Sequence, residues 1–132
     1  YDVTIIDPRE VFSTAERFPG IACLTAWPDD AMEGLRPDVR TAVVTLTHDP
    51  KIDDPGLVEA LRSDAFYIGC LGSRRTHAAR CERLAEAGFS ADDLARLQGP
   101  AGLDIGAKTP AEIAVSILAQ MIDSERRQPA AS

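Results

Sequence analysis

Long hydrophobic runs are missing from this chain. No apolar stretch approaches the roughly 20 residues that a membrane-spanning helix requires, and the first residues carry no signal-peptide pattern. Positive charge is scarce: 14 Lys and Arg stand against 21 Asp and Glu, a formal net charge of -7 at pH 7. A general nucleic-acid binder would be basic, so that class is excluded. Cysteine is sparse as well. Cys23, Cys70 and Cys81 are odd in number and lack C-x-x-C spacing, which argues against a disulfide framework or a zinc site; reduced thiols and a cytoplasmic protein are expected, with no metal site. Internal repeats and low-complexity segments are absent, and so is the G-x-G-x-x-G loop of dinucleotide-binding folds.

What remains is an ordinary soluble composition, 45% hydrophobic and 27% charged over 132 residues, enough for one domain with a buried core. Apolar β-branched runs alternate with helical patterns, which predicts an α/β fold with a mainly parallel sheet covered by helices on both faces. The expected strands are Val3–Ile6, Ile21–Leu24, Thr41–Leu46 and Phe66–Leu71. Helix starts are expected at Asp7-Pro8, at Asp54-Pro55, at Ser90 (running through Leu97) and at Thr109-Pro110, where Glu112 completes a capping box. Ile113, Ile117 and Met121, flanked by Ala114, Leu118 and Ile122, form one broad apolar helix face. Ala78, Cys81, Leu84 and Ala85 do the same for the preceding long helix, which Gly88 ends. The chain begins at Tyr1 rather than Met and is already strand-like at Val3, the expectation for a piece of a longer protein. A Rossmann-like domain over residues 1–127 is expected, with a disordered tail over 128–132.

The richest stretch is Phe66-Tyr67-Ile68-Gly69-Cys70-Leu71-Gly72-Ser73-Arg74-Arg75-Thr76. A strand, a tight turn and a helix N-terminus follow one another, and such a corner attracts an anion through its N–H groups and helix dipole. Glycines allow close backbone approach and arginines grip phosphate, so Gly69, Gly72, Ser73, Arg74 and Arg75 read as an anion site; the alternative is a capped turn with solvated arginines. Asp7 ends the first strand. It can accept ribose hydroxyls or merely cap the helix at Pro8. Thr47-His48-Asp49-Pro50 follows a buried strand; His48 with Asp49 can act in acid–base chemistry or form a polar turn. His77 faces solvent or a neighbour. Cys70 has either a role in sulfur handling or that of a small buried hydrophobe. Leu103 and Ile105 within Gly102-Leu103-Asp104-Ile105-Gly106 predict a loop packed onto the body.

Three ordered motifs together resemble the XdhC/CoxI family: Thr47-His48-Asp49-Pro50 with Asp53-Asp54; Tyr67-Ile68-Gly69 with Leu71-Gly72-Ser73-Arg74-Arg75-Thr76; and Gly102 to Ala107 with Thr109-Pro110 and Glu112-Ile113-Ala114. The likeness runs from Asp7-Pro8-Arg9 to about Met121 and is to the family's C-terminal Rossmann domain, with the first βα unit missing from this chain. It implies an accessory protein for molybdenum hydroxylases that binds molybdenum cofactor and assists its sulfuration or its insertion into a xanthine dehydrogenase-type apoenzyme. The implied partners are that apoenzyme and a cysteine desulfurase, with a homodimer as a further expectation and no nucleic acid or membrane. Where the family commonly has His-Ala-Pro-Ile, this chain has Gln98-Gly99-Pro100-Ala101, so no role passes to that histidine. The residue reading and the resemblance together place cofactor binding on Asp7, Arg9, Thr47, Gly69, Gly72, Ser73, Arg74, Arg75, Asp104 and Gly106, and any catalysis on His48 and Asp49. The other readings are an NAD(P)-dependent oxidoreductase, which needs the absent glycine loop, and a structural Rossmann-like module with an empty cleft.

Overall fold

The computed structural model describes residues 1–9 and 17–128. Its strands are β1 (Thr4–Ile6), β2 (Ala22–Leu24), β3 (Ala42–Thr45), β4 (Tyr67–Cys70) and β5 (Leu97–Gln98). The helices are α1 (Pro28–Leu35), α2 (Pro50–Arg62), α3 (Arg74–Glu86), α4 (Ala91–Leu94) and α5 (Pro110–Arg126). Every strand pairing is parallel: β1 with β2, and β3-β4-β5 in that order. Ile68 is set beside Val43 on one side and Leu97 on the other. The α/β architecture with parallel pairing is therefore as the alternation of patterns predicts. Among the described residues the pairing divides into a two-stranded and a three-stranded sheet.

β4 shows why the fold has three layers. Successive strand side chains point to opposite faces. Ile68 and Cys70 enter the main core, with Leu57, Ala60 and Leu61 of α2 and Leu84 of α3. Tyr67 points the other way, where its hydroxyl donates to Gln120 Oε1 on α5 at 2.6 Å. All four residues of β4 are buried, as a strand covered on both faces must be.

Local chemistry sets most helix ends. Thr109 caps α5 and Glu112 returns the bond to the Thr109 N–H, the expected capping box. Gly88, at φ +104°, follows α3 and donates its N–H to the Ala85 carbonyl. Elsewhere the expectations need correction. α2 starts at Pro50 with Asp49 as its cap, so Asp54 and Pro55 lie inside it. The helix from Ser90 stops at Leu94, because Leu97 joins the core as part of β5. α1 lies outside the expected helices, although Pro28 and the acidic pair Asp29-Asp30 mark its first turn. On α3, Leu84 is buried but Ala78 and Ala85 are exposed, and Arg80 is buried instead. On α5, Ile117 is buried whereas Leu118 and Ile122 are each 44% exposed. The helix expected at Pro8 falls on residues 10–16, outside the described residues, as do residues 129–132 of the expected tail.

Candidate functional site

The carboxyl ends of β3 and β4 carry the site. After β3 the chain turns through Thr47, His48 and Asp49. Thr47 organises the turn: its hydroxyl donates to Asp53 Oδ1 at 2.8 Å and accepts the Asp49 N–H at 3.1 Å. His48 has φ +62°, the left-handed region that a residue with a side chain seldom occupies. Asp49 uses its carboxylate to accept the Lys51 N–H at 3.0 Å, capping α2. Among the described residues no hydrogen bond joins Asp49 to His48, so the two do not form an oriented acid–base pair.

After β4, Gly72 turns the chain at φ +140° and Ser73 caps α3 by accepting the Thr76 N–H at 3.1 Å. Arg74 and Arg75 follow and are exposed. The arginine that enters the protein is Arg80, only 3% exposed. Its Nη2 donates to the Leu71 carbonyl at 3.0 Å and its Nη1 meets His77 Nδ1 at 3.1 Å. No carboxylate forms an ion pair with it among the described residues. Burial raises the Asp53 pKa, and the charge of Arg80 is among the influences that oppose that rise. The same charge opposes the rise that burial imposes on the Cys70 thiol. Thr45, at the end of β3, adds a buried hydroxyl that lacks a hydrogen-bond partner among the described residues.

Between the start of α2 and α3 lies a cleft of about 220 Å³, lined by His48, Pro50, Asp53, Asp54, Thr76, Arg80 and Arg83. Arg83 closes one side through a two-pronged bond to Asp54, at 2.7 and 3.2 Å. Drug-sized ligands occupy roughly 300–1,000 Å³. The cleft is thus smaller than a drug-sized pocket and opens to solvent between α2 and α3. Arg80 and Arg83 escape a reading of the sequence alone. They stand at helical spacing from Thr76, on one face of α3, and that periodicity is the signal that could have found them.

The remaining candidates fall in several places. Gly72 borders it: a Cβ there would stand 3.6 Å from Arg80 Nη2. Asp7 is held by Arg9, accepting its backbone N–H at 2.9 Å, its Nε at 2.9 Å and its Nη2 at 2.8 Å. These bonds lower the Asp7 pKa. Arg9 also feels the charges of Asp49 and Asp53, so the end of β1 and the turn after β3 share one electrostatic field. Gly69 belongs to the opposite layer, where the Tyr67 ring fills the space of its absent Cβ. Asp104 and Gly106 are exposed in a loop that leans on α5, with Gly102 N–H bonded to Gln120 and Leu103 N–H to Ser116. The backbone of that loop packs as expected, but Leu103 and Ile105 are 41% and 57% exposed. His77 lies half-buried between Arg80 and Cys81. Among the described residues no group of three His, Cys, Asp or Glu side chains is placed to hold a metal ion.

Residues 1–121 match the family model described as the XdhC Rossmann domain. The chain belongs to this family. The molybdenum cofactor insertion chaperone PaoD of Escherichia coli K12 is 37% identical to this XdhC domain over 84 residues, covering 64% of the chain and 26% of PaoD. A probable xanthine dehydrogenase subunit of Bacillus subtilis 168 is 30% identical over 128 residues, covering 96% of the chain and 37% of that subunit. A solved structure described as a xanthine dehydrogenase from Bacillus halodurans superposes with a TM-score of 0.81 at 30% identity, covering all of this chain and 38% of that one. The chain thus spans about a quarter to two fifths of the lengths of these relatives.

Proposed function

We propose that this domain serves an accessory protein of molybdenum hydroxylases, holding molybdenum cofactor and assisting its sulfuration or insertion into a xanthine dehydrogenase-type apoenzyme. A cysteine desulfurase is the proposed sulfur-supplying partner. The reading is supported by family membership, by the chaperone name of one relative and by one physical observation above all. Arg80 is a buried cation with no carboxylate ion pair among the described residues, placed beside the turn that opens α3. A buried charge is costly unless it is matched, and a terminal phosphate supplies the match. The bound cofactor supplies the metal-centred chemistry destined for the client enzyme.

The residues divide this work. Arg80 pairs with the phosphate, the first-turn N–H groups of α3 add their dipole, and Arg74 and Arg75 at the exposed rim draw the anion in. The cleft is proposed to take the phosphate end, with the rest of the cofactor lying on surfaces beyond it. Thr47 and Asp49 hold the facing turn. Asp7 and Arg9 stand at the end of β1, in one electrostatic field with that turn.

The test is a titration of the chain with inorganic phosphate, isolated molybdenum cofactor and NAD. Arg80→Gln is expected to weaken phosphate and molybdenum cofactor binding about tenfold or more, the scale of a lost charge-assisted pair. Arg74→Ala with Arg75→Ala is expected to weaken both by a smaller, salt-sensitive factor. Unchanged cofactor retention in folded Arg80→Gln overturns the proposed site. Tighter binding of NAD than of molybdenum cofactor favours an oxidoreductase.

A further inference from the structure

On the flank of α3 beside the cleft, Arg80 leads into two side chains that the proposed function leaves unused, His77 and Cys81. Arg80 Nη1 lies 3.1 Å from His77 Nδ1, and Nε2 of the same ring lies 3.5 Å from Cys81 Sγ. A guanidinium can only donate. Nδ1 must therefore present its lone pair to Arg80, and the single proton of the neutral ring sits on Nε2, directed at the sulfur. Burial, and then the charge of Arg80, lower the His77 pKa and keep the ring neutral. An N–H donor aimed at sulfur, with a cation behind it, stabilises the negative charge that the sulfur develops as it attacks.

The other two cysteines are placed differently. Cys23 directs its Sγ at the Ile21 carbonyl, 3.5 Å away. Cys70 is completely buried and burial pushes its thiol pKa up. Cys81 is only partly buried, and none of the three is tied in a disulfide.

We infer that Cys81 is the reactive thiol of this domain, a modification site that takes up sulfur from a small disulfide. Its sulfur attacks one sulfur of R–S–S–R, a new S–S bond forms as the old one breaks, and the departing thiolate takes the proton that the Cys81 thiol gives up to water. The sum is one thiol and one disulfide giving one mixed disulfide and one thiol. His77 does not receive the proton, because Nε2 already carries one and Nδ1 faces a guanidinium. It is a positioning residue that holds negative charge on the sulfur.

The experiment treats the folded, reduced chain with the uncharged reagent 4,4′-dithiodipyridine near neutral pH, with labelling at each cysteine followed by mass spectrometry. Cys81 is expected to react first, about tenfold or more faster than Cys23, while Cys70 stays unlabelled until the chain is denatured. His77→Ala is expected to bring the Cys81 rate down to that of Cys23. His77→Gln, which keeps an N–H donor near the position of Nε2, is expected to recover part of it. The inference is overturned if Cys81 of the unsubstituted chain reacts no faster than Cys23. It is equally overturned if both His77 variants keep the original Cys81 rate while Cys70 remains protected.

Discussion

Two carboxylates near the strand ends respond to pH in opposite senses. Asp7 is ionised and satisfied by Arg9, so its folded pKa is depressed below 3.8. Its contribution to stability is complete above that value and is lost as pH falls through the lower, folded one. Asp53 is buried to 6% exposure, and desolvation raises its pKa above 3.8 in spite of the Thr47 hydroxyl. The native state holds the Asp53 proton longer than the unfolded chain does, so its ionisation removes stability as pH rises through that window. Asp53→Asn keeps an acceptor for Thr47 and discards the buried charge. Urea denaturation should find this variant more stable than the parent at pH 7, with the advantage gone below pH 3.8. A variant destabilised at pH 7 would mean that Asp53 carries its charge for a structural partner. The sequence could not disclose this contrast, because both residues are aspartates near strand ends and only burial separates them. Gly69 teaches the same lesson. Beside a glycine-rich turn it reads as backbone cleared for a ligand, yet the cleared space holds the Tyr67 ring.

Among the elements, α5 and α2 show how far local chemistry reaches. Thr109 and Glu112 satisfy each other's helix-end groups, with the Glu112 N–H donated to Thr109 Oγ1 at 3.1 Å. Nothing distant is needed, so this start was legible residue by residue. Thr109→Ala should lower stability by about 1 kcal/mol, a typical cost for a lost N-cap, readable as a shift in denaturation midpoint with the same slope. α2 offers the identical signal twice, at Asp49-Pro50 and at Asp54-Pro55. Local chemistry cannot choose between them. Asp49 takes the cap because Asp54 is claimed by Arg83 on α3, far along the chain. Short strands pose a related difficulty: Leu97 and Gln98 are β only because β4 lies alongside them, and alone they extend a helical pattern.

For the molecule as a whole, stability concentrates where α2 meets β4. Leu57 has no exposed surface and sits in the cluster with Ile68, Cys70 and Leu84. Leu57→Ala should cost about 2–5 kcal/mol, a large share of the roughly 5–15 kcal/mol that holds a typical domain together. Thermal or chemical unfolding would measure it, and a loss under about 1 kcal/mol would show a core able to collapse around the gap. What the sequence settled alone was the class of fold and the family: periodicity, caps and three ordered motifs are properties of neighbouring residues, and they survive without coordinates. The tertiary structure selected which arginine matters. Arg74 and Arg75 advertise themselves by adjacency and stay in water, whereas Arg80, further along α3, is buried and bonded to the Leu71 carbonyl. Burial is a property of the assembled layers, and it turns an ordinary helical arginine into a desolvated charge in want of an anion.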